Sequence, residues 1–292
     1  MRIASDSRAL LPGMALQPGH LFWRAQSRVS AALAAVLPPE VDLHAYAALL
    51  ALGRGVTRSQ QELADTIGVS RTTMVKVGAA LSGQGLVRRV RKTDDRRSYA
   101  LTRTPDGAAA ARRWRRHAED VEEVVTEGFT LAEREQLRAL LLLVAEAELS
   151  PDVPEPLRES IAFLVVRVHS RMHREFAAAL RPLDLMPAHA GVLLGLEEMG
   201  PVTQSGATRA LGVSAPSMVL LVDELEQGGL VDRRPHATDR RAQVLHLQPG
   251  TSGVVTQVHS LAADVCDSVL APLAPARRRR LLTLMQRLVT QP

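Results

Sequence analysis

Residues 61–102 recur as residues 205–246 at a constant offset of 144, with no gap. The first copy reads QELADTIGVSRTTMVKVGAALSGQGLVRRVRKTDDRRSYALT and the second SGATRALGVSAPSMVLLVDELEQGGLVDRRPHATDRRAQVLH. Gly-Val-Ser, Met-Val, Gly-Leu-Val and Asp-Arg-Arg fall in step. Solenoid periods are roughly 20–50 residues, so an offset this long means a duplicated domain. Two related units must each build a core.

Within each copy the residue types specify the same local structure. Ser59 with Glu62 has capping-box spacing, so a helix starts there and stops at Gly68. Ser70 is the N-cap of a second helix, in which Met74, Val77, Gly78 and Leu81 form one buried stripe. Met218, Leu221, Val222 and Leu225 repeat that stripe. Gly85 and Gly229 end these helices. Two short helices joined by Gly-Val-Ser make a helix-turn-helix. A hairpin follows, with a polar, basic tip over 91–97 and its counterpart over 235–241. Together these form a winged helix. The fold expected is mainly α with small β wings: two winged helix-turn-helix domains with long outer helices.

This arrangement suits duplex DNA. The helix face opposite Met74 carries Thr72, Thr73, Lys76 and Ala79, with Arg71 at its start. Small hydroxyls and a cation can enter a major groove without steric conflict. The wing places Arg91, Lys92, Arg96 and Arg97 toward phosphates or a narrow minor groove. The second copy offers Ser214, Pro216 and Ser217 on its helix, and Arg234, Arg240 and Arg241 on its wing. A basic hairpin alone is as often a solvated surface. The reading-type helix before it, and the duplication of the whole unit, favour DNA.

The Gly-Val-Ser turn, the Gly-Leu-Val exit and the Asp-Arg-Arg wing followed by Leu-Thr resemble the MarR family of winged-helix regulators, over nearly the full chain. The resemblance implies homodimer-like packing of first and last helices, repression of genes, and release of DNA on binding a small organic effector, phenolic or antibiotic-like. It also implies that Asp95 and Asp239 orient the wing residues Arg97 and Arg241 by charge-assisted hydrogen bonds. In the family the effector site lies between the outer helices and the winged helix. Phe22, Trp23, His44, Tyr46, Trp114 and His189 are the candidates in those segments, although aromatic residues at helical spacing more often build core.

With 292 residues, two domains of ordinary size fit. The formal net charge is +5, carried mostly by arginine, which favours a polyanionic partner. Aromatic residues make up 3%, so Leu, Val and Ala must do the packing. A single cysteine, Cys266, excludes an internal disulfide framework and suits a reducing cytoplasm. Leu10-Leu11, cut short by Pro12-Gly13, does not make a signal peptide, and no apolar run reaches the roughly 20 residues of a membrane span.

In chain order, the sequence predicts a loose tail over 1–19 and a first unit over 20–149. A proline-rich linker over 150–156 and a second unit over 157–292 follow. Helices are expected over 21–37, 41–53, 104–127, 130–149, 157–180, 187–199, 252–270 and 275–289. The basic run 112–117 reads as a solvated face with Trp114 turned inward. Each half carries the outer helices of a family subunit, so the chain is expected to be its own pseudo-dimer, a monomer unless it assembles further, with half-sites about 10 bp apart.

The halves differ. Lys76 becomes Leu220 and Ala79 becomes Asp223 at the same offset. An asymmetric operator follows, with most base contacts from the first half. A protein-interaction adaptor that kept the fold and lost DNA binding is the alternative. His169 and His173, at i and i+4 near Glu175, have zinc-compatible spacing but no further ligand nearby, and read as a surface or interface pair. Cys266 reads as a packed small apolar residue rather than an oxidation sensor. Walker, GxGxxG, GxSxG and HExxH patterns are absent, so neither enzyme chemistry nor a cofactor or metal is expected.

Overall fold

The computed structural model describes residues 13, 17–38, 41–91, 99–236 and 242–291. These pack as two compact units. One comprises 25–168; the other comprises the described residues through Arg24 together with those from His169 onward.

The first unit contains most of α1 (Pro18–Val36), then α2 (Leu43–Ala51), β1 (Thr57–Arg58), α3 (Gln60–Ile67) and α4 (Arg71–Gly83). Strands β2 (Val87–Arg91) and β3 (Tyr99–Arg103) follow, then α5 (Pro105–Val125), α6 (Leu131–Ala145), α7 (Glu155–Arg158) and the first turns of α8 (Ile161–Leu180). The second unit contains the rest of α8, α9 (Pro187–Met199), β4 (Val202–Thr203), α10 (Gln204–Leu211), α11 (Ala215–Gln227), β5 (Val231–Pro235), β6 (Gln243–Leu247), α12 (Ser252–Leu270) and α13 (Pro275–Thr290).

Each unit holds one three-stranded antiparallel sheet, ordered β1-β3-β2 in the first and β4-β6-β5 in the second. The registers correspond residue for residue. Val87 pairs with Arg103 and Val231 with Leu247; Arg58 pairs with Leu101 and Val202 with Leu245. The fold is thus mainly helical with two small β wings, as the duplicated pattern requires.

The local causes are those the residues announce. The Ser59 Oγ accepts from the Glu62 N–H at 3.2 Å, while the Glu62 carboxylate accepts from the Ser59 N–H at 2.5 Å. Gly68 and Gly212 end α3 and α10 in the left-handed region, at φ 71° and 66°, where a Cβ would be strained. Ser70 and Ser214 cap α4 and α11, accepting from Thr73 and Ser217 N–H at 3.0 and 3.3 Å. Met74, Val77, Gly78 and Leu81 are buried in one stripe. That stripe packs into a core with Tyr46, Leu49, Leu63 and Trp114. In the second unit Met218, Val222 and Leu225 do the same beside Leu193 and Val258.

Several helix ends differ from expectation: α2 is shorter at both ends than 41–53, and α6 stops at Ala145 rather than 149, with a 3-10 turn following. Two further departures have identifiable causes. α1 begins at Pro18 rather than after the Pro-Gly pairs, because proline is at ease in a first helical turn. The stretch expected as one helix over 157–180 breaks between α7 and α8. There Ser160 Oγ accepts from the Phe163 N–H at 3.0 Å. The carboxylate of Glu122 accepts from Ile161 and Ala162 N–H, each at 3.0 Å, and from the Ser160 hydroxyl. A carboxylate at the positive end of a new helix outweighs the gain from continuing the old one. Among the described residues no helix is long and apolar enough to cross a membrane.

Candidate nucleic-acid interface

In the first unit α4 and β2 present cations that no described carboxylate neutralises. On α4, Arg71, Thr72 and Lys76 are exposed and Thr73 is half-buried. The Thr73 hydroxyl lies 2.8 Å from Ser70 Oγ, so it belongs partly to the helix cap. On β2, Arg88, Arg89 and Arg91 are exposed. None of these five cations forms an ion pair among the described residues. Lys92, Asp95, Arg96 and Arg97 lie outside the described residues. Arg88 and Arg89 were not among the sequence candidates. The repeat gives a signal for Arg89, whose counterpart is Arg233, but none for Arg88, whose counterpart is Asp232.

The second unit has the same frame, but on α11 and β5 the charge balance is reversed. α11 bears Asp223, Glu224 and Glu226 and no cation. Arg233 of β5 donates to Asp223 and to Glu226, each at 2.5 Å. Arg234 donates to Asp232 at 2.9 Å. Ser214 and Ser217 are exposed, but their hydroxyls lie 2.7 Å apart and serve each other at the cap. Pro216 is exposed in the first turn of α11, and Leu220 stands 63% exposed where the first unit has Lys76. Asp239, Arg240 and Arg241 lie outside the described residues. Phosphates approaching α11 and β5 meet surplus carboxylate; those approaching α4 and β2 meet surplus guanidinium.

The first unit also has a half-open cavity of about 310 Å³, lined by Leu33, His44, Tyr46, Gly68, Phe163 and Arg167 among others. The wall therefore includes the turn between α3 and α4. His44 donates its N–H to the Asp42 carboxylate at 2.7 Å. That hydrogen bonding, led by the His44 side chain, holds Asp42 below the ordinary carboxylate range. Glu122 also lines the cavity; its burial pushes the carboxyl up against the lowering effect of its hydrogen bonds at α8.

Of the six aromatic and histidine candidates, His44 and Tyr46 reach this wall. Trp114 is in the core of the same unit. Phe22 is fully buried, and Trp23 packs against His20 with ring centroids 5.8 Å apart. His189 is buried, its Nε2 2.6 Å from Glu224, and its Nδ1 accepts from the Met186 N–H at 3.2 Å. The rings of His169 and His173 are tilted 43° to each other with centroids 5.9 Å apart; burial, then the charge of His173, lowers His169 to about 4. Cys266 is buried and its thiol is pushed up by that burial.

The sequence model of the MarR family matches residues 40–98 and, again, residues 183–242. Solved structures of similar proteins include the repressor CouR bound to a 23-mer DNA duplex. It is 26% identical, with 47% of this chain and 96% of that chain covered and a TM-score of 0.43. A point mutant of MarR from E. coli complexed with operator DNA is 24% identical, with 42% and 89% covered and a TM-score of 0.41. BpsR from Bordetella bronchiseptica, described with 6-hydroxynicotinic acid as the regulator of its DNA binding, is 20% identical, with 44% and 96% covered and a TM-score of 0.41.

Proposed function

Because the chain belongs to the MarR family, whose winged-helix model it matches once in each half, we propose that it is a duplex-DNA-binding transcriptional regulator. It acts as a repressor whose hold on its operator is altered by a small organic effector. The observation that carries this reading is the charge of α4 and β2: Arg71 and Lys76 on the helix and Arg88, Arg89 and Arg91 on the strand are all exposed, with Arg89 and Arg91 on the same strand face.

The reading is asymmetric. The first winged helix makes the base and phosphate contacts, with α4 in a major groove and the wing on the backbone. The second winged helix contributes less, because Arg233 and Arg234 are already tied to carboxylates. The effector occupies the cavity beside the α3–α4 turn: an apolar body against Leu33 and Phe163, with its polar end toward His44 and Tyr46. It changes DNA affinity by binding one setting of that turn better than another.

The test is footprinting on the DNA upstream of the protein's own reading frame, with titration in salt. Protection is expected, with a log–log salt slope of about one unit for each cation engaged. No protection, or an affinity indifferent to salt, overturns the reading. A protein-interaction adaptor is the second reading, favoured by exposed Val219 and Leu220 on α11; it requires that salt-indifferent outcome.

A further inference from the structure

Arg167, in the first turns of α8, donates from Nη1 to the carbonyl of Gly68 at 2.9 Å and from Nη2 to the carbonyl of Glu148 at 2.8 Å. Gly68 ends α3 at the turn into α4, and Ser70, two residues on, caps the reading helix. The guanidinium sits so close that a Cβ on Gly68 would lie 1.7 Å from Nη1. A side chain at this position would have to displace the guanidinium, in addition to carrying the strain of the positive φ. Arg167 also lines the cavity, together with Gly68 and Val69.

The duplication supplies a second instance. Trp23-Arg24-Ala25-Gln26-Ser27-Arg28 aligns with Val166-Arg167-Val168-His169-Ser170-Arg171 at an offset of 143. Arg24 approaches Gly212, the glycine equivalent to Gly68, with Nη1 3.1 Å from where a Cβ would stand. Each reading head thus receives an arginine from a long helix at the glycine that ends its first helix. A charged donor on a helix-terminal carbonyl is stronger than the neutral bond water would offer.

We propose that Arg167 is the positioning residue that couples the cavity to the first reading helix: it fixes the α3–α4 turn, and whatever fills the cavity acts on that turn through its guanidinium. The regulatory half of this inference rests on the DNA-reading assignment above. The fixing half does not. Arg167 contacts no DNA in this scheme; it acts through Gly68.

Hydrogen–deuterium exchange on the full chain tests the fixing directly. The amides of Gly68, Val69, Thr73 and Met74 are all hydrogen-bonded within the turn and its caps. In Arg167→Gln they are expected to exchange about tenfold faster while those of α2 and α5 stay as they were. Arg167→Lys, able to hold one carbonyl, should fall between. Unchanged exchange in the turn, or acceleration spread equally through the unit, overturns the proposal. On DNA, Arg167→Gln should bind roughly tenfold more weakly with an unaltered salt slope; a slope reduced by about one unit would make Arg167 a phosphate contact and overturn it.

The coupling is tested by Ala118→Phe, which fills the cavity from α5 without removing any of these bonds. It should shift the turn amides in the Arg167 protein and add nothing in Arg167→Gln. Equal shifts in both backgrounds, or none in either, overturn the coupling. A chain that binds no DNA at all defeats the proposed function and leaves the exchange experiment to decide the role of Arg167.

Discussion

Arg233 on β5 holds Asp223 on α11 at 2.5 Å, while the equivalent pair in the first unit is Arg89 and Ala79, and Arg89 has no carboxylate partner among the described residues. The two wings therefore carry the same arginine to different ends. In the second unit it braces strand against helix; in the first it is available to an outside anion.

Opposite phenotypes follow for the same substitution. Arg89→Ala should weaken DNA binding and reduce the salt slope by about one unit, with little change in stability. Arg233→Ala should lower unfolding free energy by about 1–2 kcal/mol, since it leaves Asp223 and Glu226 facing each other unneutralised, and should leave the slope alone. Denaturant titration and fluorescence anisotropy on each variant give both readouts. Loss of slope in Arg233→Ala would place the second wing on DNA.

Gly68 and Gly212 share a positive φ but not the same surroundings, so alanine at the two positions separates backbone strain from steric conflict. Both variants carry the left-handed penalty of about 1–2 kcal/mol. Gly68→Ala also drives a methyl group into the Arg167 guanidinium, 1.7 Å away, whereas Gly212→Ala meets Arg24 at 3.1 Å. Thermal unfolding should rank Gly68→Ala as the more damaging by a further ~1–3 kcal/mol. Equal melting temperatures would mean that the guanidinium moves aside at no cost.

Acid should destabilise the protein through two histidines. Burial, then the charge of Arg24, lowers His20 to about 4, and burial, then His173, lowers His169 to about 4. Below the ordinary value of 6.5 the unfolded chain takes up protons that the folded chain refuses. Stability is therefore full above that pH and falls as pH drops toward 4. Glu122 works in the other sense: its raised pKa means that the folded state prefers the proton, and its contribution weakens as pH rises through the shifted value. The double variant His20→Phe/His169→Gln installs the residues that the chain itself has at the equivalent positions, Phe163 and Gln26. Urea midpoints at roughly pH 7 and pH 4.5 should then lie closer together than in the parent. An unchanged gap would assign the acid sensitivity to other groups.

Sequence reasoning reaches the elements here because their causes are local. Ser59 and Glu62 cap α3, Ser70 caps α4, Gly68 turns between them, and each signal lies next to its effect. The winged-helix frame follows from these plus the Met74 stripe. What stays illegible depends on distant partners. At the break before α8 only Ser160, which caps the Phe163 N–H, is local; the carboxylate that completes the cap comes from distant Glu122. Arg234 reads as a DNA-facing cation until Asp232 is seen beside it, with both side chains on one strand face. Trp114 and His189 are candidates by type and segment; that Trp114 packs in the core and that His189 meets the Glu224 carboxylate are likewise relations with distant residues.

If charge alone separates the two reading heads, restoring it should recover the second. Leu220 occupies the position of Lys76 and is 63% exposed, so a longer cationic side chain there meets no packing constraint. Leu220→Lys should leave the fold intact: the site is on the solvent face of α11, and lysine is a good helix former. It should tighten binding to a DNA fragment long enough for both winged helices and steepen the salt slope by up to about one unit. Adding Glu224→Gln removes a further like charge against phosphate while leaving an amide oxygen to accept from His189 Nε2–H, and should add to the effect. Had Leu220 instead been selected as an apolar contact to thymine methyl groups, lysine would weaken binding and the slope would hardly move. Anisotropy titrations at several salt concentrations distinguish these outcomes. Weaker binding by Leu220→Lys would show that the second helix already reads DNA through its apolar face.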